Sequence, residues 1–318
     1  MRSIPKRIII SVITLFLVSI LCFLIFNVIK GDPASFAGGI NITEEQLQIL
    51  REEMGLNKNV FIRYFDWLSK FITGNSGISF SFRGESISPL IARRLPVTAA
   101  LSVISLLFIL IISISVSLLT VKKEGNITDN IVNFLNAAGI STPGFFMGLI
   151  LIFIFGFTFK LFIPGEFIEY SENPLGFFSC LCFPALAIAI PNSAVLIKFL
   201  RGSIFQELKS DYVKAARCKG AKRLYILFHH VLKNACLPAV TMLGMIIAEV
   251  FSGSIIIEQV FSIPGIGRLL ISAISSRDYP LIQVLMVYIA FIVIAANMLA
   301  DIIVMVIDPR IKQSRKIK

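Results

Sequence analysis

Six long apolar runs, at residues 8–29, 97–121, 131–159, 177–200, 236–257 and 281–307, alternate with polar stretches along the chain. A hydrocarbon core of about 30 Å is crossed by about 20 helical residues, and every run reaches that length. In lipid, an open chain satisfies its own backbone only as a helix. The pattern therefore predicts an all-α polytopic membrane protein with about six transmembrane helices. It is expected to be one domain over 1–318, with an outer loop at 30–96 and a cytoplasmic loop at 201–235. The third run holds Asn133 and Asn136 and is interrupted at Ser141-Thr142-Pro143-Gly144. A shorter span preceded by an interfacial turn is thus a second reading of it. No short-period internal repeat is visible.

Composition strengthens this picture: 56% of residues are hydrophobic and only 15% charged, and the mean hydropathy of +0.85 exceeds what a soluble core requires. Arg2, Lys6 and Arg7 precede the first run, but that run is longer than a signal-peptide core and no small-residue cleavage site follows, so a retained anchor is expected. With the amino terminus inside, 19 of the 30 Lys and Arg fall on inner segments and 11 on outer ones. Most of the outer ones sit in the loop 30–96, and long loops translocate largely regardless of charge. Both termini are therefore expected in the cytoplasm. The net charge of +11 reflects topology and contact with membrane lipid. Nucleic acid is not an expected partner, because no basic patch is interleaved with base-stacking aromatics. The five cysteines, Cys22, Cys180, Cys182, Cys218 and Cys236, read as packing residues.

The outer loop has elements of its own. Thr43 and Gln46 form a capping box for a helix over 44–54, stopped by Gly55. A second helix over 59–72 carries Val60, Phe61, Tyr64, Phe65, Leu68, Phe71 and Ile72 as one stripe with Trp67 beside it, a pattern suited to the outer membrane interface. Asn41-Ile42-Thr43 fits a glycosylation acceptor, but a three-residue match arises by chance. Between the fifth and sixth runs, Pro264 and Gly265 predict a turn, followed by a short helix and a restart with Asp278 as N-cap and Pro280 in the first turn.

The polar stretch from Glu207 to Pro238 is the loop richest in Lys and Arg. Its pattern predicts a short helix over 211–219, ended by Gly220, and a second from about Lys222 with Leu224, Leu227, Phe228, Val231, Leu232 and Ala235 on one buried face. A two-helix protrusion suits docking onto another subunit, and a solvated loop that only fixes topology is the alternative. Asp211-Tyr212-Val213, Ala215-Ala216-Arg217 and Lys219-Gly220, followed by His230-Val231-Leu232-Lys233-Asn234-Ala235 and Leu237-Pro238, resemble the EAA loop of ABC importer permeases. The closest resemblance is to the peptide/nickel family, and within it to the first, B-type, permease subunit. Lys214 stands where the general motif has Glu, and the longer spacing to Leu237-Pro238 is a habit of that branch. The likeness extends to Gly31-Asp32-Pro33, Gly55-Leu56, Tyr64 to Leu68, Arg94-Leu95-Pro96-Val97-Thr98, the segment from Phe261 to Pro280, and Asp308-Pro309-Arg310.

The resemblance implies a multi-pass protein of a bacterial cell membrane that forms half of a translocation pathway and works by alternating access. Its implied partners are a homologous second permease subunit, cytoplasmic ATP-binding subunits and an extracellular or periplasmic substrate-binding protein. Asp211, Tyr212, Ala215, Ala216, Arg217, Lys219 and Gly220 would form the ATPase-coupling helix. Peptides are the implied cargo, with nickel or a metal chelate as the alternative. Glu249, Pro264 and Gly265 are the candidate pathway residues.

The chain's own residues fit a non-enzymatic role. It lacks G-x-x-x-x-G-K-[ST], H-E-x-x-H and G-x-S-x-G. Its two histidines, His229 and His230, are adjacent, and side chains about 100° apart on a helix do not readily share a metal. No cofactor or metal is expected. A secondary transporter would need no docking loop and usually shows repeats, and a membrane enzyme would need a catalytic pair inside a span. Two acids do lie in the runs, Glu249 and Asp301. Asp301 matches a position near the inner end of the family's sixth span, where an interhelical hydrogen bond is implied. Glu249 departs from the small or amide residues of the family. Gly244, Ala248, Ser252 and Gly253 fall largely on its side of the helix, and an ionised carboxylate facing lipid costs about 2.5–3.5 kcal/mol. It is expected to face the interior, either holding the partner permease or lining the pathway and favouring cationic cargo.

Overall fold

A computed structural model describes residues 3–28, 43–53, 59–121 and 126–307. The expected stop at Gly55 and the segments at Gly31-Asp32-Pro33 and Asp308-Pro309-Arg310 lie outside these residues. Among these residues twelve helices follow one another: α1 (Ser3–Val28), α2 (Glu44–Glu53), α3 (Val60–Ile72), α4 (Ile87–Val121), α5 (Ile127–Ser141), α6 (Gly144–Leu151, continued by a π-helical stretch Ile152–Thr158), α7 (Pro174–Leu208), α8 (Asp211–Cys218), α9 (Arg223–Ile226), α10 (Leu232–Val260), α11 (Ile266–Ser275) and α12 (Tyr279–Ile307). A π-helical turn, Leu227–Val231, joins α9 to α10.

Among the described residues, five stretches are long and apolar enough to cross a membrane: Pro5–Phe26, Ile87–Val121, Pro174–Leu208, Leu224–Val260 and Tyr279–Ile302. The third apolar run is not straight. Its two halves, Asp129–Ser141 and Gly144–Thr158, meet at 111° and make the sixth crossing if taken as one span. The cause is Pro143, which has no N–H to continue the ladder and drives the residue before it out of the helical region; Thr142 accordingly sits at ψ 118. Several helices outrun the membrane. α4 and α7 each have 35 residues, about 50 Å at 1.5 Å per residue.

The chain divides into two compact units, Met1–Thr98 with Pro264–Ile294, and Ala99–Ile263 with Ala295–Lys318. The first is built around Ile87, Leu90 and Ile91 of α4, Ile266, Leu269, Leu270 and Ala273 of α11, and Leu281, Ile282, Val284 and Leu285 of α12. The spacings of three and four within each set place one stripe per helix on a common core. The capping box at Thr43 and Gln46 forms, with bonds of 3.3 and 3.4 Å. Asn59 caps α3 by accepting from Phe61 N–H.

The aromatic stripe of α3 is divided between two surroundings. Tyr64 is buried, Trp67 and Phe71 are half-buried, and Phe61, Phe65 and Ile72 stay exposed. Tyr64 packs edge-on against Phe16 and Phe23 of α1, and its hydroxyl pairs with Ser19 Oγ at 2.8 Å. Trp67 therefore belongs to the packed face. α1 in turn leaves Ile9, Ile10, Val12 and Leu21 exposed, an apolar surface that lipid accommodates and water does not.

Asp278 is the polar knot of this unit. Its Oδ2 accepts from Ser79 Oγ at 2.5 Å and Ser81 N–H at 2.9 Å. Its Oδ1 accepts from Leu281 N–H at 3.3 Å, as expected of the cap of α12. Thr98 Oγ1 likewise takes the free N–H of Ile266 at the start of α11.

The second unit is organised on α7, against which α5, α6 and α10 pack. Ala185, Ala187, Ala189, Ser193 and Ala194 give α7 a buried, small-residue surface, so neighbouring backbones approach closely. At Gly139 of α5, a Cβ would lie only 3.0 Å from that of Ala194.

The Asp278 network sets a first prediction. Asp278→Ala leaves the buried Ser79 hydroxyl without its acceptor, at about 1–3 kcal/mol, and hands the Ser81 N–H, on an exposed residue, to water. Asp278→Asn keeps the acceptor facing both and loses only the Leu281 cap. Thermal unfolding in detergent should rank wild type above Asn above Ala.

Candidate functional site

The predicted coupling residues come together on α8. The helix is eight residues long and is fixed by Val213, which is fully buried. Asp211, Tyr212, Ala215, Arg217 and Lys219 are exposed and Ala216 is half-buried. Gly220 ends the helix at φ +78°. Its N–H reaches Arg217 O at 2.9 Å, and Ala221 N–H reaches Ala216 O at 3.2 Å, the paired bonds of a Schellman stop.

Tyr212 ties the helix to both neighbours. Its hydroxyl donates to Glu207 Oε2 at 2.6 Å and accepts from Asn234 Nδ2 at 3.3 Å. Burial, followed by the bond to the Glu207 carboxylate, pushes the phenol above its ordinary pKa. Lys214 pairs with Asp211 at 2.8 Å on the open surface, where such a bridge is worth little.

The second loop helix differs from expectation. Leu224 and Phe228 are 50% and 51% exposed, while Ile226, Leu227, Val231 and Ala235 are buried. The π turn at Leu227–Val231 explains the change. An i→i+5 turn inserts one extra residue, which rotates the apolar set by about 100°. Nor does this helix stand alone, because it runs through the π turn into the fifth span, continuous over Leu224–Val260. The expected two-helix protrusion is one short helix followed by the amino-terminal end of a span. Tyr225 stacks on His229 there, with ring centroids 4.3 Å apart.

Glu249 lies on the wall of a cavity of about 390 Å³ within the second unit. The bend between α5 and α6, at Ile140 to Phe145, forms one side, and Asn192 of α7 and Gly253 of α10 also line it. Of the small residues expected beside Glu249, Gly253 shares this wall, Gly244 and Ala248 are half-buried, and Ser252 is exposed. Pro264 and Gly265 belong to the first unit, where Gly265 is the buried N-cap of α11, with Pro264 half-buried before it. Asp301 is half-buried on α12. Among the described residues, no group of three or more His, Cys, Asp or Glu is placed to hold a metal ion.

One constellation escaped the sequence reading. Arg201, near the carboxyl end of α7, forms a buried ion pair with Asp129 of α5, and its Nη1 donates to Asn133 Oδ1 at 2.8 Å. The guanidinium also lies over the Phe205 ring at 5.7 Å. A charge at the edge of each of two apolar runs was the available signal, but such residues are also what topology alone requires.

Comparison with known proteins follows this geometry. Residues 117–313 match the family described as binding-protein-dependent transport system inner membrane component, and residues 1–102 match the corresponding N-terminal family. A probable peptide ABC transporter permease protein of Sinorhizobium fredii is 33% identical over 307 residues, covering 96% of this chain and 98% of the relative. The oligopeptide transport system permease protein AppB of Bacillus subtilis is 33% identical, with 96% and 98% covered. The dipeptide transport system permease protein DppB of Lactococcus lactis is 32% identical, with 98% and 99% covered.

The Arg201–Asp129 pair yields a second prediction. Arg201→Met takes the guanidinium away from a buried carboxylate and should lower stability by up to about 3–5 kcal/mol, because removing one partner of a buried ion pair is destabilising. Combining it with Asp129→Leu should recover most of that loss. Thermal unfolding of the single and double variants checks it: a double variant no better than the single would mean that the pair does not act as a unit.

Proposed function

We propose, from the premise that this chain belongs to the family of binding-protein-dependent transport system inner membrane components, that it is the permease subunit of an ATP-driven importer of peptides. The observation that carries this reading is its likeness, over nearly its whole length, to three permeases named for peptide, dipeptide and oligopeptide transport. Peptide is therefore favoured over nickel or a metal chelate. The chain supplies a path across the membrane and no chemistry. Hydrolysis belongs to separate cytoplasmic ATPases, a homologous permease completes the path, and an external binding protein delivers cargo. Both termini lie in the cytoplasm.

The exposed side of α8 is the docking surface for the ATPase, with Asp211, Tyr212, Ala215, Ala216, Arg217 and Lys219 presented to it. Its attachment suits the task. Val213 is sunk into the protein, and Tyr212 is bonded to Glu207 at the end of α7 and Asn234 at the start of α10. A displacement of α8 is thus passed to two spans at once, and alternating access follows when the ATPases close on ATP. Glu249, Pro264 and Gly265 are proposed to border the path.

Deleting this chain should abolish uptake of short peptides and leave nickel uptake intact. The opposite result would replace peptide by metal as the cargo. Gly220→Val tests the coupling loop. A Cβ at Gly220 meets no atom within 4 Å, so the substitution acts through its left-handed backbone, at roughly 1–2 kcal/mol. The variant should insert normally yet lose peptide uptake while the ATPases still turn over, and Gly220→Asn, which tolerates that conformation, should be milder. Normal uptake by a stably expressed Gly220→Val would remove the docking role.

Orientation has its own test. Cys218 is exposed at the end of α8 and should react with an impermeant maleimide in inverted vesicles but not in intact cells. Asn75→Cys should show the reverse, being exposed in the outer loop, whereas Ser76 is buried against Ser88. Labelling of Cys218 from outside would invert the topology.

A further inference from the structure

The cavity beside Glu249 is lined mostly by apolar residues, with Ser141, Thr142, Asn192 and Glu249 as its polar side chains. The last carbonyls of a helix have no partner within it, and at the end of α5 only some find one elsewhere. Thr142 takes two of them, with its hydroxyl on Ala138 O at 2.7 Å and its N–H on Gly139 O at 3.3 Å. Ile140 and Ser141, which carry the next carbonyls at the negative end of the helix dipole, line the cavity. Asn192 adds an independent acceptor. It is only 8% exposed, and its Nδ2 is committed to Ile188 O at 2.9 Å, which leaves Oδ1 buried without a hydrogen-bond partner. The Glu249 carboxylate completes the set. No Lys, Arg or His lines this space.

We infer that this cavity is a subsite for an alkylammonium group, the free amino terminus of a peptide in transit; this rests on the peptide-importer reading above. An ammonium carries three donors and no acceptor, which matches a wall built from a carboxylate, an asparagine with an unpartnered amide oxygen and the carbonyl end of a helix. A bare metal ion is a poorer match, since a single carboxylate stands among apolar neighbours such as Ile188, Val195 and Ile256. Those neighbours suit the first side chain of a peptide. α6 starts at the same break, and its first N–H groups are donors for the carbonyl that follows an amino terminus. The site is half of a broken-helix arrangement of the kind that transporters place around small charged cargo. One charge, met by neutral acceptors, holds the amino terminus without regard to the rest of the peptide.

The test uses the complete transporter, with its partner permease, ATPases and binding protein, in proteoliposomes. Uptake of one tripeptide with a free amino terminus is compared with that of its N-acetylated form. Binding-protein affinity for each is measured separately, and both are supplied at saturation. Glu249→Gln keeps the shape of the side chain and removes its charge, so the ratio of free to acetylated uptake should fall at least tenfold. Glu249→Lys should lower it further. A ratio equal to that of wild type overturns the subsite, as does failure of the Gln variant to co-purify with the partner permease, which would make Glu249 an assembly contact. If wild type carries neither peptide, the importer reading itself falls and takes the subsite with it. If wild type carries peptides but both variants keep its preference for the free amino terminus, the subsite alone is lost.

Discussion

A backbone amide or carbonyl left unpaired in hydrocarbon costs several kcal/mol, and this protein nevertheless breaks a helix at Ser141–Gly144 in the middle of an apolar run. Such a break is tolerated only where protein, not lipid, surrounds it. The rest of the second unit follows from that requirement. α7 brings small residues to the place where the broken helix leans on it: Gly139 faces Ala194, and Gly144 lies near the carbonyl of Ala187. Thr142 turns its hydroxyl and its N–H back onto two of the orphaned carbonyls. Ile140 and Ser141, which carry the remaining acceptors, line the cavity.

The same constraint orders the other polar groups. Asp278 is buried, yet both its oxygens are used, so one carboxylate holds the segment around Ser79–Ser81 and caps α12. Arg201 and Asp129 neutralise each other between α7 and α5, with Asn133 taking a further guanidinium proton. A buried pair of this kind contributes little net stability but makes any other pairing of the helices expensive. It thereby fixes the register of α5 against α7, and with it the position of the break.

Much of this was legible in the sequence because local rules and global fold agree. Apolar runs gave the spans, Thr43 and Gln46 announced a helix start, Gly220 a helix stop, and Asp278 a cap. Pro143 marked the break, although its 111° angle depends on packing that no local pattern encodes. The failures have equally physical causes. A π turn at Leu227–Val231 shifts the helical phase by one residue, so a stripe read at 3.6 residues per turn placed Leu224 and Phe228 inside and missed Ile226. The Arg201–Asp129 pair joins residues 72 positions apart, and nothing in either neighbourhood names the other partner. The stripe on α3 had the right helix but joined two surfaces, because periodicity does not distinguish a face packed on protein from one turned toward lipid.

α7 and α10, the two helices that carry Asn192 and Glu249, are also the two that Tyr212 bonds to α8. From Asn192 to the end of α7 is about 16 residues, and from Glu249 back to Asn234 about 15, so each acceptor stands roughly 22–24 Å along its helix from the loop, with Pro238 on the way in α10. A helix is stiff over that length, and a tilt imposed at one end is delivered at the other. Under the proposed mechanism, α8 therefore needs no relay of side chains to reach the cavity, because the cavity walls are the far ends of its own supports. Such a connection moves the walls apart or together without unmaking the acceptors on either. Cargo release then follows from separating the Glu249 carboxylate from the Asn192 amide oxygen, and the charge itself need not change.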